Sequence, residues 1–323
     1  MKFKVRRCLT SVLVLFQLIR MLVAQNGHAA LSGKIAFSST RDGNHEIYVM
    51  DSDGGNQRRV THHPDFDLDP SWSPDGKKIA FVSHRVGGTP HIFIMDSDGV
   101  NPIKLTKGGL DPAWSPDGVK IAMTYGTGND IDIYVMDTDG GNLTQLTNLG
   151  WNYHPTWSPD GKRIAYVTSR RHGGPEIYAM DRDGTNEVRL TGDLLVKYRP
   201  SWSPDGQRIV YHANRDKAVS QIYVVEADGS GRIKRLTRNV PAKWSPIWSP
   251  DGGTIAYASS IPFNQSTIHL MTADGVYLKQ LSVFEEGVEG DPDWVDPLGR
   301  PVSAAANFVT TWGEIKKPAP VLR

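Results

Sequence analysis

The sequence SWSPDGKKIAF at residues 71–81 decides the fold, because close copies of it recur along the chain. Four further copies keep the Trp-Ser-Pro-Asp-Gly core: AWSPDGVKIAM at 113–123, TWSPDGKRIAY at 156–166, SWSPDGQRIVY at 201–211 and IWSPDGGTIAY at 247–257. A decayed sixth copy, DPDWVDPLGR, occupies residues 291–300. The tryptophans stand at positions 72, 114, 157, 202, 248 and 294, so successive copies are 42 to 46 residues apart. A repeat of this length is typical of one four-stranded unit in a radially repeated β-structure.

A second motif alternates with the first and also occurs six times. Its copies are EIYVMDSDG at 46–54, HIFIMDSDG at 91–99, DIYVMDTDG at 132–140, EIYAMDRDG at 176–184, QIYVVEADG at 221–229 and TIHLMTADG at 267–275. Each copy is followed by a short segment that ends in Thr or Ser, such as RRVT at 58–61. Ser-Pro-Asp-Gly and Asp-x-Asp-Gly both suit tight turns, since proline fixes φ and glycine accepts positive φ. The two motifs therefore predict four strands per unit and an all-β, six-bladed β-propeller.

The order of the motifs predicts how the ring closes. The chain enters with an Ile-Ala-Phe strand at 35–37 that no tryptophan strand precedes, and the repeats end with a Trp294 strand. Pairing of these N- and C-terminal strands completes one composite blade and leaves no exposed sheet edge. We therefore expect one propeller domain over residues 33–300, and we expect deletion of residues 291–300 to open the ring.

The first 24 residues have the pattern of a signal peptide. Lys2, Lys4, Arg6 and Arg7 precede a mostly apolar stretch, and Ala24 is a small residue suited to cleavage. The apolar stretch is shorter than the roughly 20 residues that span a bilayer, so no transmembrane span is expected in the mature chain. The sequence thus predicts a periplasmic or secreted protein, with residues 301–323 as a C-terminal tail.

Composition and charge argue against nucleic-acid binding and against cysteine chemistry. Lys and Arg total 36 against 35 Asp and Glu. Removal of residues 1–24, which hold five basic and no acidic side chains, leaves 31 basic residues against 35 acidic ones. A mildly acidic domain without a basic surface is not expected to bind nucleic acid. The single cysteine, Cys8, lies in the predicted signal peptide, so the mature domain has neither an internal disulfide nor a thiolate metal site.

These repeats resemble those of the TolB family, whose pattern LT…PxWSPDGxxIAFxS…xIYxMDxDG is matched over residues 33–300. The resemblance implies a β-propeller fold, a periplasmic location and protein partners. Members of this family carry a globular α/β domain ahead of the propeller and bridge envelope proteins, including the lipoprotein Pal. About ten residues separate the predicted cleavage point from the first strand here, so we expect the fold and the binding habit to carry over rather than the envelope-coupling role. Similar repeats precede the serine peptidases of the prolyl oligopeptidase class, but no Gly-x-Ser-x-Gly motif follows residue 300.

One position in each repeat indicates a binding site. It stands directly before the proline of the tryptophan strand and is occupied by Asp69, Asp111, His154, Arg199, Ser245 and Asp291. Since the innermost strands line the channel of a propeller, we expect these six residues to surround the channel mouth. Large aromatic residues precede three of them: Tyr153, Tyr198 and Trp244. The predicted mouth therefore has an acidic side and an aromatic, partly basic side. The aromatic residues are suited to stacking on a sugar ring or packing against a peptide, and packing between blades explains them equally well.

Two further features of the loops on this face have alternative explanations. Asp65, Asp67 and Asp69 alternate along the chain, and in an extended segment they would share one face. Such oxygen-rich clusters suit Ca²⁺, although a solvated acidic loop explains the same pattern. Arg41, Arg85, Arg171 and Arg215 lie in the loops between the middle strands, where they could bind anionic groups or form salt bridges.

The sequence leads to one principal hypothesis and two alternatives. The principal hypothesis is a monomeric, non-enzymatic binding propeller that engages a protein or peptide, or a carbohydrate, at the channel mouth. The first alternative is a metal-dependent lyase or lactonase acting on a sugar derivative, with Asp69, Asp111 and Asp291 around a cation and His154 as the base. The second is a structural partner that docks through its turns or an outer strand. No sequence motif assigns a catalytic residue or a definite cofactor.

Overall fold

A computed structural model describes residues 31–296, except positions 129, 171–173, 194, 215–218, 239, 262–264 and 283–286. The predicted signal peptide at 1–24, the tail at 301–323 and residues 297–300 lie outside this part of the chain. In the described ranges, the structure contains 24 strands in six four-stranded antiparallel sheets. No helix there is long and apolar enough to cross a membrane.

Each sheet forms one blade, in which four strands follow one another from the channel outward. Blade 1 contains β24 (Glu289–Val295), β1 (Lys34–Ser39), β2 (Glu46–Asp51) and β3 (Arg58–Arg59). Blade 2 contains β4 (Asp67–Trp72), β5 (Lys78–Val86), β6 (Thr89–Asp96) and β7 (Ile103–Lys104). Blade 3 contains β8 (Leu110–Trp114), β9 (Lys120–Thr127), β10 (Asp130–Asp137) and β11 (Thr144–Gln145).

The second half of the ring has the same organisation. Blade 4 contains β12 (Asn152–Trp157), β13 (Arg163–Thr168), β14 (Glu176–Asp181) and β15 (Val188–Arg189). Blade 5 contains β16 (Val196–Trp202), β17 (Arg208–Asn214), β18 (Gln221–Glu226) and β19 (Ile233–Arg235). Blade 6 contains β20 (Lys243–Trp248), β21 (Thr254–Ile261), β22 (Gln265–Thr272) and β23 (Tyr277–Gln280).

The ring closes as the order of the motifs predicts. The innermost strands contact one another in the cyclic order β24, β4, β8, β12, β16, β20 and back to β24. Strand β24 pairs with β1 in antiparallel register, with Trp294 opposite Ile35. The Trp294 indole also donates a hydrogen bond of 2.9 Å to the backbone oxygen of Ser32. The two ends of the propeller are thus joined in one sheet, which confirms the predicted six-bladed fold and its closure.

The Ser-Pro-Asp-Gly turns are held by their own side chains. In the first of them, the Ser73 hydroxyl donates to the Asp75 carboxylate at 2.7 Å and accepts from the backbone nitrogen of Lys78 at 2.9 Å. The backbone nitrogen of Gly76 closes the turn on the Ser73 oxygen. The same Ser–Asp bond recurs in the other four turns: Ser115–Asp117, Ser158–Asp160, Ser203–Asp205 and Ser249–Asp251. The repeated motif is therefore a turn, and its polar groups are satisfied locally.

The hydrophobic core is divided into six clusters, one at each interface between neighbouring blades. At the interface of blades 4 and 5, for example, Val167 and Ile177 pack with Trp202 and Tyr211. Each cluster includes or adjoins one tryptophan of the repeated motif. The tryptophans of the repeated motif therefore stabilise the packing between neighbouring blades.

Candidate functional site

The six residues before the prolines share an uncommon backbone conformation. Their φ angles are between 46° and 54°, and each lies at a register shift between an innermost strand and its neighbour. Left-handed φ is uncommon for residues other than glycine, and β-bulges of this kind redirect a side chain. The six residues and the prolines that follow them line a cavity of about 140 Å³ at one end of the channel. The structure thus brings together, as the channel mouth, the six residues Asp69, Asp111, His154, Arg199, Ser245 and Asp291.

Arg199 holds the centre of the channel mouth. Its guanidinium donates to Asp69 at 2.7 Å and lies 3.4 Å from Asp291 and 3.9 Å from Asp111. The three carboxylates come from blades 1, 2 and 3, whereas Arg199 belongs to blade 5. The predicted acidic and basic sides are therefore not separate surfaces, because one arginine reaches across the mouth and neutralises part of the acidic side.

Burial and charge shift the pKa values of this cluster in different directions. Burial raises the pKa of Asp69 to about 7, despite the hydrogen bond from Arg199. Burial also acts to raise the pKa of Asp291, but the charge of Arg199 together with the hydrogen bonds from Ser245 and Ser38 outweighs it, and the pKa falls below its usual range. For Arg199, the three carboxylates outweigh burial and raise the pKa, so the guanidinium remains charged. Asp69 is therefore the carboxylate whose charged form burial disfavours most strongly.

Two histidines at the mouth are neutral. Burial lowers the pKa of His154 to about 4 and that of His212 to about 3. The Nδ1 atom of His212 accepts a hydrogen bond of 3.1 Å from the backbone nitrogen of Ser245, and Nδ1 of His154 accepts one of 3.4 Å from that of Arg199. These bonds satisfy the backbone of the bulges, and the other ring nitrogen of His154 lies 3.5 Å from Asp111. Both imidazoles therefore stabilise the backbone conformation of the mouth and carry no positive charge.

The three predicted aromatic residues lie behind the mouth and do not line its cavity. Tyr198 stacks on His212 with ring centroids 5.3 Å apart. Tyr153 packs against the cluster between blades 4 and 5, and Trp244 against the one between blades 6 and 1. In the described residues they contribute to packing between blades, which the sequence left open as an alternative to ligand contact.

Sequence reasoning missed several polar residues that support the mouth. Thr124 donates to Asp111 at 2.8 Å and accepts from the backbone nitrogen of His154 at 3.1 Å. Ser38 hydrogen-bonds to Asp291 at 3.3 Å, and Ser245 donates to the same carboxylate at 2.9 Å. A signal for them was present in the repeats, since Ser38, Thr124 and His212 occupy a position that holds Val82, Val167 and Ala258 in the other blades.

The channel continues below the mouth past one further buried carboxylate. Asp293 of blade 1 accepts a hydrogen bond of 2.6 Å from the backbone nitrogen of Trp72, and burial raises its pKa to about 6. It lines both the mouth cavity and a second cavity of about 230 Å³ at the opposite end of the channel. Asp293 therefore lies between the two ends of the channel.

The structure does not gather Asp65, Asp67 and Asp69 into one site. Asp67 is buried in a salt bridge of 2.8 Å with Arg85, and Asp69 is bound by Arg199. Asp65 is half exposed beside His63. The expected alternation fails because the left-handed backbone of Asp69 breaks the extended segment. In the described part of the chain, no group of three or more His, Cys, Asp or Glu side chains could hold a metal ion, so these residues do not fit the Ca²⁺ site that their spacing suggested.

Of the loop arginines, two form salt bridges within the propeller. Arg41 pairs with Glu289, and Arg85 pairs with Asp67. Arg171 and Arg215 lie outside the described residues.

Exposed apolar side chains surround the channel mouth. They stand in the loops that enter the innermost strands, or at the first residue of such a strand, in five of the blades. We call them the rim residues: Phe66, Leu110, Leu149, Trp151, Val240 and Val288, which are between 38% and 75% exposed. Apolar groups of this kind around a polar centre are typical of protein-binding surfaces.

The repeats match a known family of propeller domains. The profile of the family described as "TolB beta propeller domain" matches residues 29–111 and 107–295. A curated relative, "Protein TolB homolog" of Chlorobium luteolum, is 40% identical over 163 residues, which are 49% of this chain and 37% of the relative. The "Tol-Pal system protein TolB" of Bordetella pertussis is 34% identical over 158 residues, 47% of this chain and 36% of the relative. The chain thus matches little more than a third of the length of these relatives.

A solved structure has the same architecture. The crystal structure of TolB from Acinetobacter baumannii superposes with a TM-score of 0.72 at 26% identity and covers 81% of this chain and 66% of that chain.

Proposed function

The chain belongs to the TolB β-propeller family, and we propose that it is a non-enzymatic binding propeller of the periplasm or the extracellular space. Its partner is a protein or a peptide segment that docks on the channel mouth and the surrounding rim residues. The Tol-Pal naming of its relatives supports a partner from the cell envelope. Because the chain spans 36% of that relative, the location, the partner and the docking face remain parts of this proposal.

One observation carries the proposal: apolar rim residues surround a polar centre whose negative charges are partly compensated by Arg199. Phe66 is 48% exposed and lies between two imidazoles, with ring centroids 5.5 Å from His45 and 6.0 Å from His84. Aromatic side chains held in this way lose little conformational entropy on binding and often dominate interface energies. Arg199 compensates buried carboxylates at the centre, which lowers the cost of covering them with a partner.

The alternative of a metal-dependent enzyme lacks comparable support. At the mouth, the guanidinium of Arg199 lies among Asp69, Asp111 and Asp291, where that hypothesis places a cation. His154 is neutral and therefore able to accept a proton, yet its Nδ1 is already bonded to the backbone of Arg199.

Site-specific photo-crosslinking in the source organism tests the proposal, because the crosslink itself captures a partner of any identity. Phe66→p-benzoylphenylalanine presents the probe on the rim, and Val119→p-benzoylphenylalanine is the matched control on the Ser-Pro-Asp-Gly turns, since the two side chains are 48% and 54% exposed. We expect a discrete crosslinked protein with the rim probe only. Crosslinking from the turn probe alone, or from neither, would contradict docking at the mouth.

A further inference from the structure

A further pair of cavities lies on the outer part of blade 4, next to blade 3. Two adjoining cavities of about 360 and 790 Å³ share Leu149, Arg170 and Glu187. We call them together the blade 4 groove, formed by Asn148, Leu149, Arg170, Tyr178, Glu187 and Arg189. Small-molecule sites typically have volumes of about 300–1,000 Å³, and the groove reaches this range whereas the mouth cavity of about 140 Å³ does not.

The repeats explain why an arginine lies in this groove. In blades 1 and 2, the arginine at or just beyond the end of the second strand pairs with a carboxylate on the innermost strand, as Arg85 does with Asp67 at 2.8 Å. In blade 4, the position of Asp67 is occupied by Asn152. The side-chain amide of Asn152 donates a hydrogen bond of 2.8 Å to Asp132 of blade 3. Arg170 instead pairs with Glu187, beside the outermost strand, at 2.6 Å. Its ion pair therefore borders the groove.

The charges of the groove are balanced. Arg170 is paired with Glu187, and Arg189 donates to Glu176 at 2.8 Å. The side chains of Arg170, Glu187 and Arg189 remain 18%, 30% and 40% exposed. The groove thus presents guanidinium donors and a carboxylate acceptor, each already paired with an opposite charge, which favours a neutral ligand rich in hydrogen-bonding groups over an anion or a cation.

Apolar surface lies next to these polar groups. The guanidinium carbon of Arg170 lies over the buried Tyr178 ring, 4.2 Å from its centroid, so the ring helps to position the guanidinium. Leu149 is 63% exposed and Trp151 is 48% exposed. The backbone oxygen of Trp151 accepts a hydrogen bond of 2.9 Å from the backbone nitrogen of Ser169, and the backbone nitrogen of Trp151 donates one of 3.2 Å to the Ser169 hydroxyl. Ser169 lines the groove. An aromatic or aliphatic surface beside planar polar side chains matches a sugar ring, which has an apolar C–H face and a hydroxyl edge.

From these contacts we propose that the blade 4 groove is a binding site for an uncharged saccharide of one or two rings. Arg170 and Glu187 bind adjacent hydroxyl groups, and Leu149 contacts the apolar face of the ring. This site adjoins the rim residues, with which it shares Leu149. Its binding of a saccharide does not require the protein partner proposed for the mouth.

Titration of the purified full-length chain with a defined panel tests the site. The panel comprises N,N′-diacetylchitobiose, cellobiose and maltose, with digalacturonate and inorganic phosphate as charged controls, followed by calorimetry and saturation-transfer NMR. Glu187→Ala removes the acceptor, and Gln57→Ala is its matched control, because Gln57 follows the corresponding turn asparagine of blade 1. Leu149→Ala is a second variant for the case that Glu187→Ala disturbs folding. Because Leu149 is 63% exposed, its replacement is expected to leave the fold intact.

We expect at least one uncharged disaccharide to bind. Glu187→Ala should weaken this binding about tenfold, as expected for the loss of a hydrogen bond to a charged group. Leu149→Ala should weaken it several-fold, and Gln57→Ala should leave it unchanged. Absence of binding by all three uncharged sugars, equal affinity in Glu187→Ala and Gln57→Ala, or a preference for digalacturonate or phosphate would each overturn the proposal.

Discussion

Arg199 of blade 5 donates a hydrogen bond of 2.7 Å to Asp69 of blade 2, and the two blades lie opposite each other in the ring of six. The residues are 130 positions apart in the sequence. Because the same guanidinium also approaches Asp291 and Asp111, one side chain connects four of the six blades across the channel mouth.

Replacement of Arg199 should destabilise the propeller. In Arg199→Met, three buried carboxylates lose their common cation, and removal of one partner from a buried ion pair costs about 3–5 kcal/mol. Urea unfolding of the full chain measures this difference. Arg58→Met is the control, since Arg58 is exposed and hydrogen-bonds only backbone oxygens, and we expect it to cost less than about 1 kcal/mol. Equal costs for the two variants would show that the mouth cluster does not stabilise the fold.

Stability should depend on the protonation of His212. The imidazole is neutral in the fold, with a pKa of about 3, whereas in the unfolded chain it takes up a proton below a pH of about 6.5. Unfolding therefore takes up a proton, and this contribution to stability decreases as pH falls from about 6.5 toward 3. Asp69 acts in the opposite sense, because its raised pKa of about 7 lowers stability as pH rises through the range from about 4 to 7.

His212→Asn isolates the histidine from the aspartate. Asparagine retains an acceptor for the backbone nitrogen of Ser245 but does not titrate. Between pH 6 and 4, the slope of unfolding free energy against pH should differ from that of the original chain by about 1.4 kcal/mol per pH unit. Urea titrations at several pH values give both slopes, and parallel profiles would be incompatible with a buried neutral His212.

Ring closure should depend on Trp294. The side chain is 7% exposed in the cluster between blades 6 and 1, and replacement of a buried tryptophan by alanine costs about 3–5 kcal/mol. Trp151→Ala is the matched control, because Trp151 is 48% exposed, and we expect a change within about 0.5 kcal/mol. Calorimetric melting of both variants makes the comparison. A cost for Trp294→Ala no larger than that of the control would mean that β24 does not secure the ring.

The buried Lys197 should couple blades 4 and 5. It is fully buried and lies 2.9 Å from Glu176 and 2.5 Å from Asp193. Lys197→Met should cost about 3–5 kcal/mol, since it leaves Glu176 without this cation. Adding Glu176→Gln in the same chain should recover part of the loss, because the buried carboxylate that lost Lys197 and retains only Arg189 is then neutral. Lys77→Met is the control, because the side chain of Lys77 is 81% exposed. If the costs of Lys197→Met and Glu176→Gln are strictly additive, the two residues are not coupled.

Most of the fold could be predicted from the repeats. The Ser73–Asp75 bond and its copies are local, since each turn satisfies its own polar groups within a few residues. The incomplete strand sets at the two ends also predicted the pairing of β1 with β24. The six positions of the mouth were found by the same comparison of repeats, because each occupies the same place in its strand.

The chemistry of the mouth could not be predicted in this way. One of the two explanations for Asp65, Asp67 and Asp69 was a shared calcium site, whereas the backbone of Asp69 is left-handed and its carboxylate is bound by Arg199. For Tyr198 the sequence left ligand contact and packing as alternatives, and the residue stacks on His212, which sequence reasoning did not select.

The sequence by itself thus determined the number of blades, the turns, the closure of the ring and the residues around the channel mouth, because these follow from a period and from local turn chemistry. Only the tertiary structure decided which charges compensate one another, as with Arg199 and Asp69 across the ring. It also decided that Arg170 borders a groove while Arg85 pairs with the innermost strand. The physical reason is that burial and ion pairing depend on distances between blades, and the spacing of residues along the chain does not contain those distances.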